Sequence, residues 1–492
     1  MLLLHEVKNS NILKKLKIEN SQKTKIVATI GPASSSYETL IRLVKAGVDV
    51  FRLNFSHGAH KDHKDVIDRI LQINKEYDIH IGILADLQGP KLRVGKIENN
   101  ALTLKKNDVI HLVNKKCIGT MKKIYMSYER MAKDVKVGER VLVDDGKIVL
   151  EVVKTDKRSK VSLKVIHGGI LSSNKGVNLP DTEVKLPAMT PKDIKDLTFI
   201  LKQPVNWIAL SFVQSAEDIL DLKRRIKRKK HLAQVIAKME KPSAITNRKE
   251  IIDATDAIMI ARGDLGVEMP MEKLPAIQKD IIKRCIQKSK PVIVATQMME
   301  SMINNPSPTR AEITDVANAV LDGTDAVMLS GETAVGKHPV KVVEAMNKII
   351  FEAENHYELQ SKRPKPNRKS DTFFSDTVCI GAAKLAEDIK AKAIIGITVS
   401  GYTAFKVSSY RPKSHIYIFS HVKQMLATMN LIWGVRCFHY DKFSTTDETI
   451  SDFSEILKSK KLLKKGEVVV NTASMPIQKR FRTNTMKITI ID

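Results

Sequence analysis

The sequence has few of the residues on which secreted, zinc-binding and membrane-spanning proteins depend. Its 492 residues include only four cysteines, which are far apart and form no CxxC or Cys/His spacing: Cys117, Cys285, Cys379 and Cys437. A disulfide framework and a zinc site are therefore not expected, and a reducing cytoplasm fits this usage. Apolar runs are also short, and none approaches the length of a membrane span.

Targeting features are lacking at the start of the sequence. The first apolar stretch is too short for a secretion signal, and the segment contains Glu6 and Glu19 but no arginine, which argues against a transit peptide. We expect residues 1–22 to be a short extension and the protein to be cytoplasmic.

Acidic residues are fewer than basic ones, at 55 against 82, which gives a net charge of +27. Such an excess can accompany nucleic acid, anionic membranes or anionic metabolites. The basic residues are spread along the chain, and the one dense run, Lys223–Lys230, lies in a predicted helix. We interpret this run as a solvated helix face and expect neither nucleic acid nor a membrane as a partner.

The chain is long enough for two or three domains, and its main pattern is an apolar run, a polar tip and a helix, repeated eight times. This pattern predicts an α/β fold, a (β/α)8 TIM barrel with its chemistry at the carboxyl ends of the strands. The clearest helices are Pro275–Lys288 and Pro339–Glu354. The eight runs are Ile26–Ile30, Val48–Leu53, Ile81–Ala85, Trp207–Leu210, Gln234–Ala237, Ala257–Ala261, Val292–Ala295 and Ala326–Leu329.

Two segments depart from this pattern. Between the third and fourth runs, short apolar segments flank a turn at Asp144–Gly146, which predicts a hairpin in a small β domain that acts as a lid. After a proline-bearing linker, four further strands near 393–399, 416–419, 467–470 and 486–490 predict a C-terminal α/β domain for regulation or oligomerisation. The expected boundaries are 23–89 and 186–356 for the barrel, 90–185 for the lid and 357–492 for the C-terminal domain.

The fifth and sixth runs bring charged residues to one end of the barrel. Lys238 and Glu240 follow the fifth run, Arg262 and Asp264 follow the sixth, and one helix over about 243–254 lies between them. Buried charges need partners. A divalent cation held by Glu240 and Asp264 beside an anionic substrate would provide them. The alternative is a wet surface loop with the pairs Lys238–Glu240 and Arg262–Asp264.

A further glycine-rich segment, Gly331–Lys337, matches most of a phosphate-binding P-loop. The lysine is followed by His338, which replaces the Ser or Thr that ligates Mg²⁺, and Pro339 comes next. We therefore expect no P-loop here.

Several motifs in order resemble pyruvate kinase. They include KIVATIGPASSS, VFRLNFSHG, ADLQGPKLRVG, KGVNLP, IAKME, MIARGDLGVEMP and VIVATQMMESMINNPSPTRAE, and they extend from Lys25 over nearly the whole chain. The resemblance implies phosphoryl transfer from phosphoenolpyruvate to ADP, which gives pyruvate and ATP. It also implies Mg²⁺ or Mn²⁺ as cofactor and a homotetramer.

The resemblance also implies roles for single residues. Glu240 and Asp264 resemble the metal ligands, and Lys238 resembles the lysine beside the transferring phosphoryl group. The other substrate and catalytic positions are Arg52 at the phosphate, Ala261 and Gly263 at the substrate carboxylate, Thr296 at the carbon that is protonated, and Ser330 and Glu332 as a supporting network. The nucleotide- or cation-contacting positions are Asn54, Ser56, His57, Arg93 and Lys175.

Two departures from the family pattern bear on K⁺, which many members need. Leu87 stands where many carry threonine, and Lys91 stands where many carry glutamate. An ammonium placed beside Asp86 can supply the charge of K⁺ and repel a second cation. We therefore expect no requirement for K⁺, although the monovalent-cation region Asn54, Ser56, Asp86 and Leu87 is otherwise present.

The effector region also departs from the pattern. The C-terminal segment ASMPIQKRFRTNTMKI lacks the glycine-rich loop by which some members hold fructose 1,6-bisphosphate, and Ser400–Ala404 keeps only part of the phosphate-holding turn. Another sugar phosphate, a nucleotide or nothing binds there. Two other functions stay open: a nucleic-acid-binding protein on an inactive barrel, and a different barrel enzyme of phosphoenolpyruvate or oxoacid chemistry that needs no ADP.

Overall fold

The computed structural model describes residues 22–356, 364–442, 445–475 and 482–492. The predicted extension lies outside the described residues except for Gln22. Residues 476–481 of the C-terminal effector segment and part of the linker also lie outside them.

Eight parallel strands close into a barrel in the spatial order β1-β16-β15-β14-β13-β12-β3-β2, which confirms the predicted TIM barrel. Each strand is short and almost wholly buried, as expected when helices cover the outside of a parallel sheet. The strands are β1 Lys25–Ile30, β2 Val50–Asn54, β3 Gly82–Asp86, β12 Trp207–Leu210, β13 Gln234–Met239, β14 Ala257–Ala261, β15 Val292–Ala295 and β16 Ala326–Leu329.

The strand side chains alternate between two cores, because successive residues of a strand point to opposite faces. Those that point inward, such as Val27 and Met259, fill the barrel, and those that point outward, such as Ile26 and Ile258, pack against the helices. The barrel helices are α1 Tyr37–Ala46, α2 His60–Tyr77, α4 Pro191–Ile200, α5 Ala216–Arg228, α6 Pro242–Thr246, α7 Arg248–Ala254, α8 Arg262–Glu268, α9 Leu274–Lys288, α10 Arg310–Leu321, α11 Gly331–Ala334 and α12 Pro339–Asn355.

Most helix predictions are confirmed, with one correction. The predicted helices at 275–288 and 339–354 correspond to α9 and α12. The single helix predicted over about 243–254 is instead two, α6 and α7, which meet at Asn247. The Asn247 side chain donates a 2.9 Å hydrogen bond to the carbonyl of Gln214 on the preceding barrel loop. Asparagine competes in this way with helix continuation.

Between β3 and α4 the chain forms a separate β unit with its own apolar core. The predicted hairpin is confirmed: Val141 pairs with Leu150 and Val143 with Ile148, around a turn in which Asp144, Asp145 and Gly146 have positive φ. The elements are β4 Leu102–Leu104, β5 Val109–Val113, β6 Ile124–Tyr125, α3 Met131–Asp134, β7 Arg140–Val143, β8 Ile148–Thr155, β9 Lys160–His167, β10 Gly169–Leu171 and β11 Val177–Asn178.

The C-terminal segment is a five-stranded sheet in the order β19-β18-β17-β20-β21, with β21 antiparallel to β20. The four predicted strands are present, but β19 was not predicted. Its sequence VRCFH is a half-buried edge strand with charged residues and gives no clean apolar run. The elements are α13 Phe373–Asp388, β17 Ala393–Ile397, α14 Tyr402–Ser409, β18 His415–Ser420, α15 Lys423–Met429, β19 Val435–His439, α16 Thr446–Ser459, β20 Val468–Ala473 and β21 Thr485–Ile490.

The basic run 223–230 lies largely in α5, where Ile226 is buried and the Lys223 ammonium pairs with Asp256 at 2.6 Å. Across the described ranges, no helix combines the length and the apolar character needed to cross a membrane.

Candidate active site

Three barrel strands bring opposite charges together at their carboxyl ends. Arg52 on β2 contacts Asp86 at the end of β3, with its Nε at 2.7 Å and its Nη2 at 2.6 Å from Asp86 Oδ2. The Lys238 ammonium on β13 lies 3.4 Å from the other oxygen, Asp86 Oδ1. Burial acts to raise the pKa of Asp86, but the positive charges of Lys238 and Arg52 outweigh it, so this pKa lies below its usual value.

Lys238 also contacts Glu240, with Nζ and Oε1 3.0 Å apart, and both side chains are almost wholly buried. Burial acts to lower the pKa of Lys238, but the carboxylates of Asp86 and Glu240 outweigh it and raise the pKa above its usual value. The ammonium is therefore a permanent positive charge at this end of the barrel.

The two predicted metal ligands lie near each other. Glu240 accepts a 2.7 Å hydrogen bond from the backbone N–H of Phe212, which holds its Oε2 in place. Burial raises the pKa of Glu240, Lys238 partly offsets this, and the negative charge of Asp264 raises it further. Two carboxylates that repel each other in this way favour a cation between them. Among the described residues, no group of three or more His, Cys, Asp or Glu side chains could hold a metal.

The wet-loop alternative for these residues is wrong. The Lys238–Glu240 pair exists, but it is buried rather than wet. Arg262 does not pair with Asp264: its guanidinium binds Asp315 on α10 through both Nη atoms, each at 2.7 Å. Asp264 is instead 3.5 Å from the Lys91 ammonium, and its side chain is 28% exposed.

Thr296, which follows β15, is held in an unusual conformation. Its φ is +69°, and that of Gln297 is +54°. A β-branched residue rarely adopts positive φ, and such strain is concentrated at functional sites. The loop is fixed by Arg262, whose Nη2 donates a 3.0 Å hydrogen bond to the Thr296 carbonyl, and by Gly263, whose N–H donates to Thr296 Oγ1 at 2.7 Å.

Ser330 directly follows β16, and Glu332 lies in the first turn of α11. The buried Glu332 carboxylate accepts hydrogen bonds from the backbone N–H of Ser330 at 2.6 Å and of Met299 at 3.3 Å. Burial raises the pKa of Glu332. Since its carboxylate binds backbone groups of two neighbouring loops, it stabilises the end of the barrel.

The predicted nucleotide-contacting residues form two groups. Asn54, Ser56 and His57 follow β2 on the barrel, where Asn54 Oδ1 accepts a hydrogen bond from the Ser56 N–H at 3.1 Å. Arg93 and Lys175 belong to the inserted β unit. Arg93 donates to the Asn174 carbonyl at 2.9 Å, and Lys175 pairs with Asp144 at 2.8 Å. The two groups are on opposite sides of the junction between barrel and insert.

The expected neighbour of Lys91 needs correction. Its Nζ lies 3.5 Å from Asp264 Oδ1, whereas the ammonium that pairs with Asp86 is that of Lys238. The reason is geometric: Arg52, Lys238 and the Ser211 hydroxyl already surround Asp86. Leu87 is buried and offers no hydroxyl.

Comparisons with known proteins agree with this geometry. Residues 21–343 match the model of the pyruvate kinase barrel domain, and residues 376–489 match that of the pyruvate kinase alpha/beta domain. The chain belongs to the pyruvate kinase family. A pyruvate kinase of Geobacillus stearothermophilus is 42% identical over 96% of this chain and 80% of its own length, and one of Sporosarcina psychrophila is 40% identical with the same coverage. A crystal structure of a pyruvate kinase from Cryptosporidium parvum superposes with a TM-score of 0.90, at 34% identity over 96% of both chains.

Two polar residues of this pyruvate kinase site were not predicted. Thr29 on β1 accepts a 2.9 Å hydrogen bond from Arg52 Nη1, and Ser211 accepts one from Lys238 Nζ at 2.8 Å. Both hydroxyls also donate to backbone carbonyls, of Leu329 at 2.8 Å and Leu87 at 2.7 Å. They fix the directions of the two cationic side chains. The signal that was available is position, since Ser211 directly follows an apolar run at the chemical end of the barrel.

Proposed function

We propose that this member of the pyruvate kinase family transfers the phosphoryl group of phosphoenolpyruvate to ADP, giving pyruvate and ATP, at the carboxyl end of its barrel. The observation that carries the proposal is the buried charge set in which Lys238 contacts both Asp86 and Glu240 while Arg52 holds Asp86. Both substrates are highly anionic, so catalysis depends mainly on positioning and on neutralisation of charge.

Each side chain has a role that suits its place. Arg52 is a planar fork suited to a phosphate. Lys238 offsets the charge that develops on the enolate and on the transferring group. Ala261 and Gly263 bring backbone to the substrate carboxylate, and a Cβ on Gly263 would crowd Thr296 Oγ1 at 3.3 Å. Thr296 is the hydroxyl near the carbon that takes up a proton.

Glu240 and Asp264 fit a magnesium or manganese ion. Mg²⁺ is commonly held by one or two carboxylates together with substrate oxygens and water, and this site offers two carboxylates whose mutual repulsion a cation would relieve. When bound, the ion would neutralise phosphate charge and polarise the substrate oxygens. The protein's own part is to hold the two carboxylates at fixed positions through Phe212 and α8.

For the nucleotide, we propose that Asn54, Ser56 and His57 on the barrel and Arg93 and Lys175 on the insert contact ADP from two sides. In this arrangement the insert is a lid whose closure completes the site and excludes water. Ser330 and Glu332 stabilise the loops that follow β15 and β16.

We also propose that the enzyme does not require K⁺. The observation behind this is the Lys91 ammonium at 3.5 Å from Asp264, in the family position that is commonly acidic. The Lys91 ammonium does not contact Asp86, but its positive charge at the same end of the barrel lowers the affinity of this end for a further monovalent cation. The assembly implied by the family is a homotetramer, and any sugar-phosphate or nucleotide effector would bind in the C-terminal domain near 400–404.

The test is an assay of pyruvate formation from phosphoenolpyruvate with and without ADP and Mg²⁺. Activity that requires both supports the proposal. Pyruvate release without ADP would instead favour a different barrel enzyme of phosphoenolpyruvate. Absence of phosphoryl transfer together with salt-sensitive binding of nucleic acid would favour the inactive barrel.

A further inference from the structure

The short helix α8, Arg262–Glu268, contacts the lid or its hinge at three points. Lys91, in the first hinge segment, lies 3.5 Å from Asp264. The tip of the lid hairpin lies beside Val267, where a Cβ added to Gly146 would be 3.9 Å from Val267 Cγ1. Asn178 on β11 donates a hydrogen bond to Glu268 Oε1 at 2.8 Å. The lid and its hinge therefore lie against one helix of the barrel, α8.

The third contact differs from the others because it is buried. The Glu268 side chain is 1% exposed, and Asn178 is also buried. The same oxygen, Glu268 Oε1, lies 2.5 Å from the ammonium of Lys241. The second oxygen, Oε2, is buried and has no hydrogen-bond partner among the described residues. The carboxylate therefore depends on two partners, one on the lid and one on the barrel.

The barrel partner is next to the metal site. Lys241 follows Glu240 directly, and its ammonium lies 5.8 Å from the centre of the Phe212 ring, whose backbone N–H holds Glu240. A change at Glu268 therefore affects the residue adjacent to one proposed metal ligand.

The amino-terminal end of α8 contacts the loop after β15 that contains Thr296. Gly263 donates its N–H to Thr296 Oγ1, and Arg262 is fixed by Asp315. The helix has seven residues and is therefore only about 10 Å long. A helix this short moves as one piece, so a displacement at Glu268 is transmitted to Asp264 and Gly263.

We infer that Asn178, Glu268 and Lys241 form a junction that positions α8 when the lid docks, so that the lid sets the placement of Asp264 and of the Thr296 loop. This inference rests on the proposed function. The three residues are positioning residues, since they act through α8 and not on the substrate. Lys241 binds Glu268 from the barrel side. Asn178 binds it from the lid side, so this second bond depends on the position of the lid.

The first experiment uses Asn178→Ala, with Asn114→Ala as the matched control. Asn114 is a lid asparagine whose side chain donates a hydrogen bond within the lid, to the carbonyl of Glu129 at 3.5 Å. We expect Asn178→Ala to lower kcat by about tenfold, with a smaller change in the KM for phosphoenolpyruvate, because a lost hydrogen bond to a buried charge acts on the closed state. The control should match the wild-type enzyme.

The second readout is amide hydrogen exchange, which does not depend on activity. In Asn178→Ala we expect faster exchange in the peptide that spans α8, with α7 and α9 unchanged. A merely structural role of Asn178 would instead speed exchange in the lid strands β7 and β11 and leave α8 protected. That result, or a kcat equal to that of the wild-type enzyme, would overturn the inference.

The barrel half of the junction is tested with Lys241→Met against Lys223→Met, since Lys223 also pairs with a carboxylate, that of Asp256 at 2.6 Å, but lies on α5. The double variant Asn178→Ala/Lys241→Met should lose less than the product of the two single losses, because both act through one carboxylate. Independent effects would contradict the inference. If the wild-type enzyme is inactive, the proposed function fails, whereas the exchange measurement still tests the junction.

Discussion

The backbone N–H of Gly263 donates a 2.7 Å hydrogen bond to the hydroxyl of Thr296, and that hydroxyl donates in turn to the Ala295 carbonyl at 2.6 Å. The first bond joins α8 to the loop after β15, and the second ties the hydroxyl to the last residue of that strand. They hold a β-branched residue at a φ of +69°. The hydroxyl thus has a fixed position and a defined donor direction before any substrate arrives, which is the preorganisation that proton transfer requires.

Two substitutions of Thr296 distinguish the role of its hydroxyl group from the role of its branched side-chain shape. Thr296→Val keeps the branched side chain but loses both hydrogen bonds, and we expect kcat to fall by about a hundredfold or more. Thr296→Ser keeps the hydroxyl and should stay within about tenfold of the wild-type kcat. Steady-state kinetics measure both, and Thr314→Val on exposed α10 is the control. Equal losses in the serine and valine variants would contradict a role for the hydroxyl.

Lys238→Met should lower the rate of phosphoryl transfer much more than it lowers the affinity for substrate. The ammonium offsets charge that develops in the transition state, so we expect kcat to fall by about a thousandfold while the KM for phosphoenolpyruvate changes little. Lys223→Met serves as the control. A variant with raised KM and unchanged kcat would show that Lys238 only binds substrate.

The proposed metal ligands are tested by neutral, isosteric variants. Asp264→Asn and Glu240→Gln should each lower activity at ordinary Mg²⁺ by about a hundredfold, and raised Mg²⁺ should recover part of it, because each removes one anionic ligand. Asp253→Asn, which breaks only the surface pair with Lys288, is the control. Full activity of either variant at ordinary Mg²⁺ would rule out the assignment.

The barrel and the charged ends of its strands could be predicted because they follow from local rules. Buried parallel strands give short apolar runs, and the residue after each run must lie at the chemical end. Lys238 and Glu240 were found in this way, whereas Arg52 lies inside its apolar run and was assigned from the resemblance to pyruvate kinase. The partner of Arg262 could not be found, because Asp315 lies 53 positions further on and only the fold brings the two together.

Other features were missed because they depend on a side-chain contact between residues that are far apart in the sequence. The break at Asn247 depends on a carbonyl that another loop supplies, that of Gln214. The neighbour of Lys91 was predicted as Asp86, but three polar side chains already surround that carboxylate, and a flexible lysine then contacts Asp264 instead. Such outcomes depend on which contacts have the lowest free energy in a crowded site, and sequence spacing does not determine this.

Two histidines should make the stability depend on pH. Burial lowers the pKa of His80 to about 4 and that of His415 to about 4. Both pKa values are below that of an unfolded histidine, so the unfolded state binds the proton first and stability is lost as pH falls from about 6.5 towards 4.

We expect each of these histidines to account for about 2 kcal/mol of the free energy of unfolding lost between pH 7 and pH 5. Chemical denaturation at the two pH values measures the loss. His80→Gln and His415→Gln should each reduce the difference, whereas His356→Gln, at an exposed site, should not. An unchanged difference in the first two variants would contradict the assignment.

The last prediction concerns the cation requirement. In buffer without K⁺, with ionic strength held constant by a large organic cation, the wild-type enzyme should keep its full activity when Mg²⁺ is present. The reason is that the Lys91 ammonium, 3.5 Å from Asp264, already places a monovalent positive charge at the site. Strong activation of the wild-type enzyme by K⁺ would refute this.

Lys91→Glu tests the same charge by reversal. The variant should lose activity without K⁺ and recover part of it when K⁺ is added, because a carboxylate in this position attracts the cation that the ammonium repels. Lys96→Glu, an exposed lid lysine with the same charge change, should behave like the wild-type enzyme. Recovery should be incomplete, because Leu87 is buried and apolar where many relatives offer a threonine hydroxyl, so the cation would lack one oxygen ligand.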